Sequence, residues 1–166
     1  MLKRDSVIFE SVRLLAVISV AVCLIPAGAH FFELVNKMYL SVPEYMTTQK
    51  IYAGWSFFGV AIIAAILFTL THTLMVRADR TAFLLSLTAL ACLGATQVIF
   101  WTFTYPMNMA TSNWTITPQD FEAVRRQWEY SHAVNAVLSF VALATTTLST
   151  LTYKRKLKIE MTPTAK

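Results

Sequence analysis

The stretch Arg125-Arg126-Gln127-Trp128-Glu129-Tyr130-Ser131-His132-Ala133-Val134-Asn135 runs without a break into an apolar segment that continues to Tyr153. From Trp128 onward the segment holds the roughly 20 residues that a helix needs to cross ~30 Å of hydrocarbon. As a helix it places Glu129 and His132 on one face, with Asn135 one further turn along. Comparable apolar runs precede it at about Val12 to Asn36, Ile51 to Val76 and Thr81 to Thr104. The runs are continuous rather than alternating, and no hairpin signals separate them, so helices rather than strands satisfy the backbone in lipid. The expected fold is all-α: a transmembrane four-helix bundle, one membrane domain over residues 1–166, with outer loops at about 37–50 and 105–127.

Composition agrees. The chain has 166 residues, of which 56% are hydrophobic and 14% charged, a balance that does not suit a soluble domain of this size. The net charge of +5 does not point to nucleic acid, because the cations sit at the membrane edges, where they set orientation. Lys3, Arg4 and Arg13 lie at the start, Arg77 and Arg80 between the second and third runs, and Lys154, Arg155, Lys156 and Lys158 after the last. The other loops hold few cations or balance them: Lys37 and Lys50 against Glu44, and Arg125 and Arg126 against Asp120, Glu122 and Glu129. Both termini and the Arg77–Arg80 turn are therefore expected in the cytoplasm, with the other loops facing the periplasmic side of a bacterial inner membrane. Cys23 and Cys92 lack paired spacing and read as small apolar fillers. Lys3-Arg4, the first apolar run and Ala27-Gly28-Ala29 are also arranged like a cleaved signal peptide. Glu10, Arg13 and the apolar pattern continuing past Ala29 argue against that.

At the far end of the first run, His30 and Glu33 repeat the Glu129–His132 spacing in reverse. At 1.5 Å rise per residue, counting from the cytoplasmic charges puts His30 at about 27 Å, Trp55 at about 33 Å, Gln97 at about 26 Å, Trp101 at about 32 Å and His132 at about 33 Å. The scarce polar and aromatic residues of all four spans thus meet in one layer near the outer face, and ionisable groups at such depth are a functional-site signal. Elsewhere, Pro26 is a candidate kink, and Ala27-Gly28-Ala29, Gly54 and Gly59 are candidate close-approach points. Pro106 is expected to stop the third span, with residues 107–120 forming a long outer loop. Thr117-Pro118-Gln119-Asp120 reads as the start of the next helix. His72 reads as an edge residue near the cytoplasmic end.

Several chemistries fit the layer. His30, Glu33, Glu129 and His132 could bind one metal ion through nitrogen and oxygen. A di-iron centre would need carboxylates from the other two spans, which offer only Gln97 at this depth. Without metal or other cofactor, His30 or His132 would act as a base oriented by a Glu. Trp55, Trp101, Trp114 and Trp128 would stack on a flat substrate, Gln97, Asn108 and Asn135 would position it, and Arg125 or Arg126 would face an anion as it forms. Plainer roles are interfacial ion pairs (Glu33 with Lys37, Glu129 with Arg125 or Arg126) and histidines hydrogen-bonding across the bundle.

At Pro106-x-Asn108 and Arg126-x-Trp128-x-x-x-His132 the chain resembles the anthrone-oxygenase-like family of small four-span membrane proteins, most of which have no assigned function. Where family members often carry an Arg three residues after the His, this chain has Asn135, so no anion-binding role carries over to that position. The resemblance implies a cofactor-independent oxygenase that acts on a lipophilic phenol, anthrone or quinol. Kept beside it are a non-enzymatic membrane protein that binds a lipid, a quinone or a partner helix, and a mononuclear metal oxidoreductase. The expected partners are membrane lipids and a hydrophobic aromatic or quinone-like molecule.

Overall fold

The structure, a computed structural model, describes residues 2–153, with side chains from Ser6 onward. The basic tail from Lys154, expected to fray, lies outside the described residues. The chain forms α1 (Leu2–Met38), α2 (Val42–Thr48), α3 (Phe58–Met75), α4 (Arg80–Ile99), α5 (Tyr105–Ala110) and α6 (Phe121–Thr152), and no strand occurs among the described residues. Short 3₁₀ turns at Gln49–Tyr52 and Trp55–Phe57 lead into α3, and a π-helical segment at Phe100–Thr104 joins α4 to α5. Four stretches are long and apolar enough to cross a membrane: Ser6–Met38, Trp55–Met75, Arg80–Ala110 and Phe121–Thr152. The protein is an integral, multi-pass membrane protein built as an all-α four-helix bundle. α1 packs on α3 and α6, and α4 packs on the same two helices, so the four crossings form a square in chain order.

The side-chain pattern is inverted relative to a water-soluble bundle. Val60, Ile63, Leu67, Leu70 and Leu74 of α3 face outward, as do Val134, Val137, Phe140, Leu148 and Leu151 of α6. The buried faces carry small or weakly polar residues: Ala65 and Thr69 on α3, Ala82, Ser86, Ala89 and Thr96 on α4, Ser139, Ala142, Thr146 and Ser149 on α6. Lipid is as apolar as leucine, so large side chains gain nothing by turning inward, while small ones let the helices approach and hydroxyls bond across. At mid-bundle Val20, Ala65, Ala89, Leu93 and Ala142 form the apolar core, flanked by Cys23 and Cys92.

At the end of the bundle that carries the turn between α3 and α4, the core turns polar. His72 is fully buried rather than an edge residue, and its Nε2 lies 3.1 Å from Ser149 Oγ. Ser149 has one hydroxyl proton and gives it to the Ala82 carbonyl at 2.7 Å, so His72 Nε2 is the donor of that pair. Thr73 and Ser86 share a second bond at 2.6 Å. A histidine on an apolar span reads as an edge only when its partners, here Ser149 on α6 and Phe9 on α1, are unknown.

Other expectations shift. α1 starts well before Val12 and carries Pro26 within it. A Cβ built on Gly28 or Gly59 meets nothing within 4 Å, so neither marks a close approach; Gly54 is required instead by its φ of 86°. The third span does not stop at Pro106. Its ring would clash within a regular helix, but the preceding turn is widened, with Tyr105 N–H donating to the Phe100 carbonyl five residues back, and the helix resumes through Ala110. The outer loop is correspondingly shorter. Thr117–Asp120 is not helical; α6 starts at Phe121. Residues 38–50 carry α2, where Ser41 and Glu44 form a reciprocal cap that holds the Glu44 carboxyl below its ordinary range, chiefly through the Ser41 hydroxyl.

Candidate functional site

α1 and α6 bring two imidazoles together, with ring centroids of His30 and His132 4.1 Å apart. Around His30 stand Tyr52 at 4.5 Å, Trp128 at 5.0 Å and Trp55 at 5.5 Å, and Trp128 also lies 4.3 Å from His132. His30 and Trp128 are almost fully buried. The 3₁₀ turns before α3 supply Tyr52 and Trp55, and α6 supplies Trp128 and His132 four residues apart on one face.

Behind the rings lies a buried ion pair. Lys37, in the last turn of α1, places Nζ 2.6 Å from Glu129 Oε1, with the two side chains 3% and 0% exposed. The same ammonium lies 4.7 Å from the ring centres of both Tyr52 and Trp128, and it donates to the Tyr52 hydroxyl at 3.2 Å. Tyr52 donates in turn to the Glu33 carboxylate. Tyr45, fully buried on α2, donates to Glu129 Oε1 at 2.7 Å. Burial, and then the Glu129 carboxylate, push the Tyr45 phenol above its ordinary range and keep it a donor.

A third layer closes this end of the bundle. Asn108 Oδ1 accepts from the indole N–H of Trp128 at 2.8 Å and of Trp114 at 3.3 Å. Trp114 reaches this position from a turn in which Ser112, Asn113 and Trp114 all have left-handed backbone, at φ of 48°, 55° and 64°. Such a run costs about 1–2 kcal/mol per residue. The Thr111 hydroxyl, accepting from Trp114 N–H at 3.1 Å, helps hold it, and Trp114 packs against Trp128 and Tyr45 at 5.2 and 5.3 Å.

His30, Glu33, Glu129, His132, Trp55, Trp114, Trp128 and Asn108 thus form one connected cluster. Asn135 lies one turn beyond His132 and is partly buried. Trp101 is not part of the cluster: it is 60% exposed and packs on Phe100 and Tyr105. The Gln97 amide donates to Thr96 Oγ1 at 3.3 Å. Arg126 is exposed on the opposite face of α6, while Arg125 is buried, donating to the Leu40 carbonyl at 2.8 Å and pairing with Glu122 at 2.6 Å. The expected ion pairs are therefore exchanged, Glu129 taking Lys37 and Arg125 taking Glu122. Among the described residues no group of three or more His, Cys, Asp or Glu converges as a metal ion would require, and Glu33 and Glu129 are held by Tyr52, Tyr45 and Lys37.

Tyr45 and Tyr52 were not expected here, and Lys37 was expected only as an interfacial partner of Glu33. Lys37 carried a signal, lying seven residues after His30 and four after Glu33, on the same helical face. Tyr45 carried none, because α2 folds a stretch that reads as loop back under the cluster. Among the described residues His30 Nδ1, His132 Nε2, Asn135 Oδ1 and Glu129 Oε2 are buried without a hydrogen-bond partner. Comparison of the chain with family models, with curated proteins and with solved structures finds no match.

Proposed function

We propose that this membrane protein takes up a lipophilic phenol, anthrone or quinol at the His30–His132 cluster and removes a proton from it, as the resemblance to the anthrone-oxygenase-like family implies. The observation that carries this is the set of unpartnered buried atoms: His30 Nδ1, His132 Nε2 and Asn135 Oδ1. Buried polar atoms are ordinarily satisfied, and a group of them on two imidazoles and an amide calls for a ligand with polar atoms of its own. An imidazole is the side chain best suited to take a proton near neutral pH. The rings of Trp55, Tyr52 and Trp128 offer a flat apolar surround. Lys37, rather than Arg126, supplies the positive charge beside the anion that forms, with Glu129 and Glu33 holding it through their contacts with Lys37 and Tyr52.

Molecular oxygen is the oxidant for this class of substrate. In an anthrone the ring carbon bearing two hydrogens loses both and gains one oxygen atom as a carbonyl while the second oxygen atom leaves as water. A quinol instead gives up its two hydroxyl hydrogens to oxygen, forming the quinone and hydrogen peroxide, so either step balances without a cofactor. The positive-inside pattern supports an outward orientation of the cluster, which in a bacterial inner membrane would be the periplasmic side. A second assignment, a non-enzymatic site for a lipid or quinone, draws on how closely four rings surround His30 (4.1 to 5.5 Å). Oxygen uptake by purified protein with an anthrone or naphthoquinol separates the two. The enzyme assignment expects uptake that His132→Ala abolishes with its melting curve retained. Binding without uptake favours the second, and wild-type turnover in His132→Ala refutes the base.

A further inference from the structure

On the side of α6 away from the cluster, a groove of about 570 Å³ runs between α4 and α6, lined by Ile99, Phe103, Arg126, Gln127, Tyr130 and Val134. We propose that it binds an anionic glycerophospholipid, with the headgroup phosphate on Arg126 and an acyl chain lying along Tyr130, Phe103, Val134 and Ile99. The volume lies within the roughly 300–1,000 Å³ of ligand sites. Its polarity is graded lengthwise: Arg126 and Gln127 stand at the outer end, and Val134, eight residues deeper, lies about 12 Å further into the bilayer.

Charge selects the occupant. The carboxylates near Arg126 on α6 are engaged elsewhere, Glu122 with Arg125 and Glu129 with Lys37, both at 2.6 Å. Arg126 has no ion-pair partner among the described residues, and it is exposed. A guanidinium at headgroup level beside an apolar slot suits phosphate, which it can bond with two parallel N–H groups. The wall of the slot is fixed: Gln127 donates to the Phe103 carbonyl at 3.1 Å within the π-helical segment, and Ser131 bonds Thr104 at 2.7 Å. The groove therefore does not depend on a ligand to form, and Arg126 acquires a role without facing the histidines.

Native mass spectrometry of the full chain in detergent, titrated with phosphatidylglycerol, tests this. Loss of one interfacial guanidinium should weaken binding roughly five-fold in Arg126→Gln, and Val134→Trp should weaken it by filling the slot. Arg80→Gln, at the other membrane face, should leave binding unchanged. Both groove variants melt like the parent, since neither residue is buried. Equal affinity for phosphatidylcholine, wild-type binding in both groove variants, or displacement of the lipid by an uncharged quinone that binds Arg126→Gln as well as the parent would each overturn the assignment. Oxygen uptake measured in parallel is expected to survive Arg126→Gln, which keeps this site distinct from the His30–His132 cluster.

Discussion

Replacing Lys37 with Met leaves Glu129 in a fully buried position with the Tyr45 hydroxyl as its remaining partner. Removing one member of a buried pair leaves an uncompensated charge and costs about 3–5 kcal/mol. The pair sits among Tyr52, Trp128 and Tyr45 rings with 3% and 0% of its side chains exposed, so solvent screening does not reduce that figure much. Removing both charges is a different matter. In Lys37→Met/Glu129→Gln the Gln carbonyl still accepts from Tyr45 and no ion remains to be desolvated, so the double variant should recover to within about 1–2 kcal/mol of the parent. The two single losses then sum to far more than the double loss, and the difference is a coupling energy of several kcal/mol. Reversible unfolding in mixed micelles measures it, followed by tryptophan emission, because the Trp128 ring lies 4.7 Å from the ammonium. A Lys37→Met protein within about 0.5 kcal/mol of the parent, or a double variant equal to the sum of the singles, would show that the pair is not formed in the membrane-embedded fold.

Asn108→Leu removes the acceptor shared by two indoles, so unfolding should become easier by about 1–3 kcal/mol, with a change in tryptophan emission; unchanged stability and emission would place Trp114 and Trp128 elsewhere. Gly54→Ala should destabilise by roughly 1 kcal/mol because of its positive φ. Gly28→Ala, where a Cβ meets nothing, should be neutral or stabilising by up to about 1 kcal/mol; thermal melts in one detergent compare the two, and the reverse order would be decisive against this geometry. The Tyr45 phenol is raised above its unfolded value of about 10. The folded state therefore holds its proton more tightly, so stability is full below about pH 10 and declines as pH rises above it. Tyr45→Phe should flatten that alkaline decline in a melting series from pH 8 to 11, and an unchanged slope would remove Tyr45 as its source.

The spans were readable because a membrane helix must satisfy its backbone internally and cover itself with apolar residues over a fixed length. Counting along those lengths also sufficed to put His30 and His132 at one level. Azimuth was harder. Within lipid the outer face of α3 is Val60, Ile63 and Leu67 and the inner face Ala65 and Thr69, so the polar contrast that marks a buried face in water is weak. The same blindness left Arg125 and Arg126 undistinguished and counted Trp101 among the cluster, since neighbouring residues on a helix differ by about 100°. His72 was misplaced because its partners come from other spans. Tyr45 was hidden for a third reason: a short amphipathic helix between spans has no bilayer length to reveal it.

The widened turn at Phe100–Thr104 acts as a phase setter. It contains one residue more than ordinary winding requires, and deleting Thr102 would restore the regular pitch. Winding the same residues at that pitch, with none deleted, would rotate everything beyond them by about 100° and swing Asn108 away from the two tryptophans it joins. The widening, by absorbing the surplus residue, is thus what indexes the end of the third crossing to the fourth, and the same chain wound regularly here would keep its four crossings but lose the roof over its histidines.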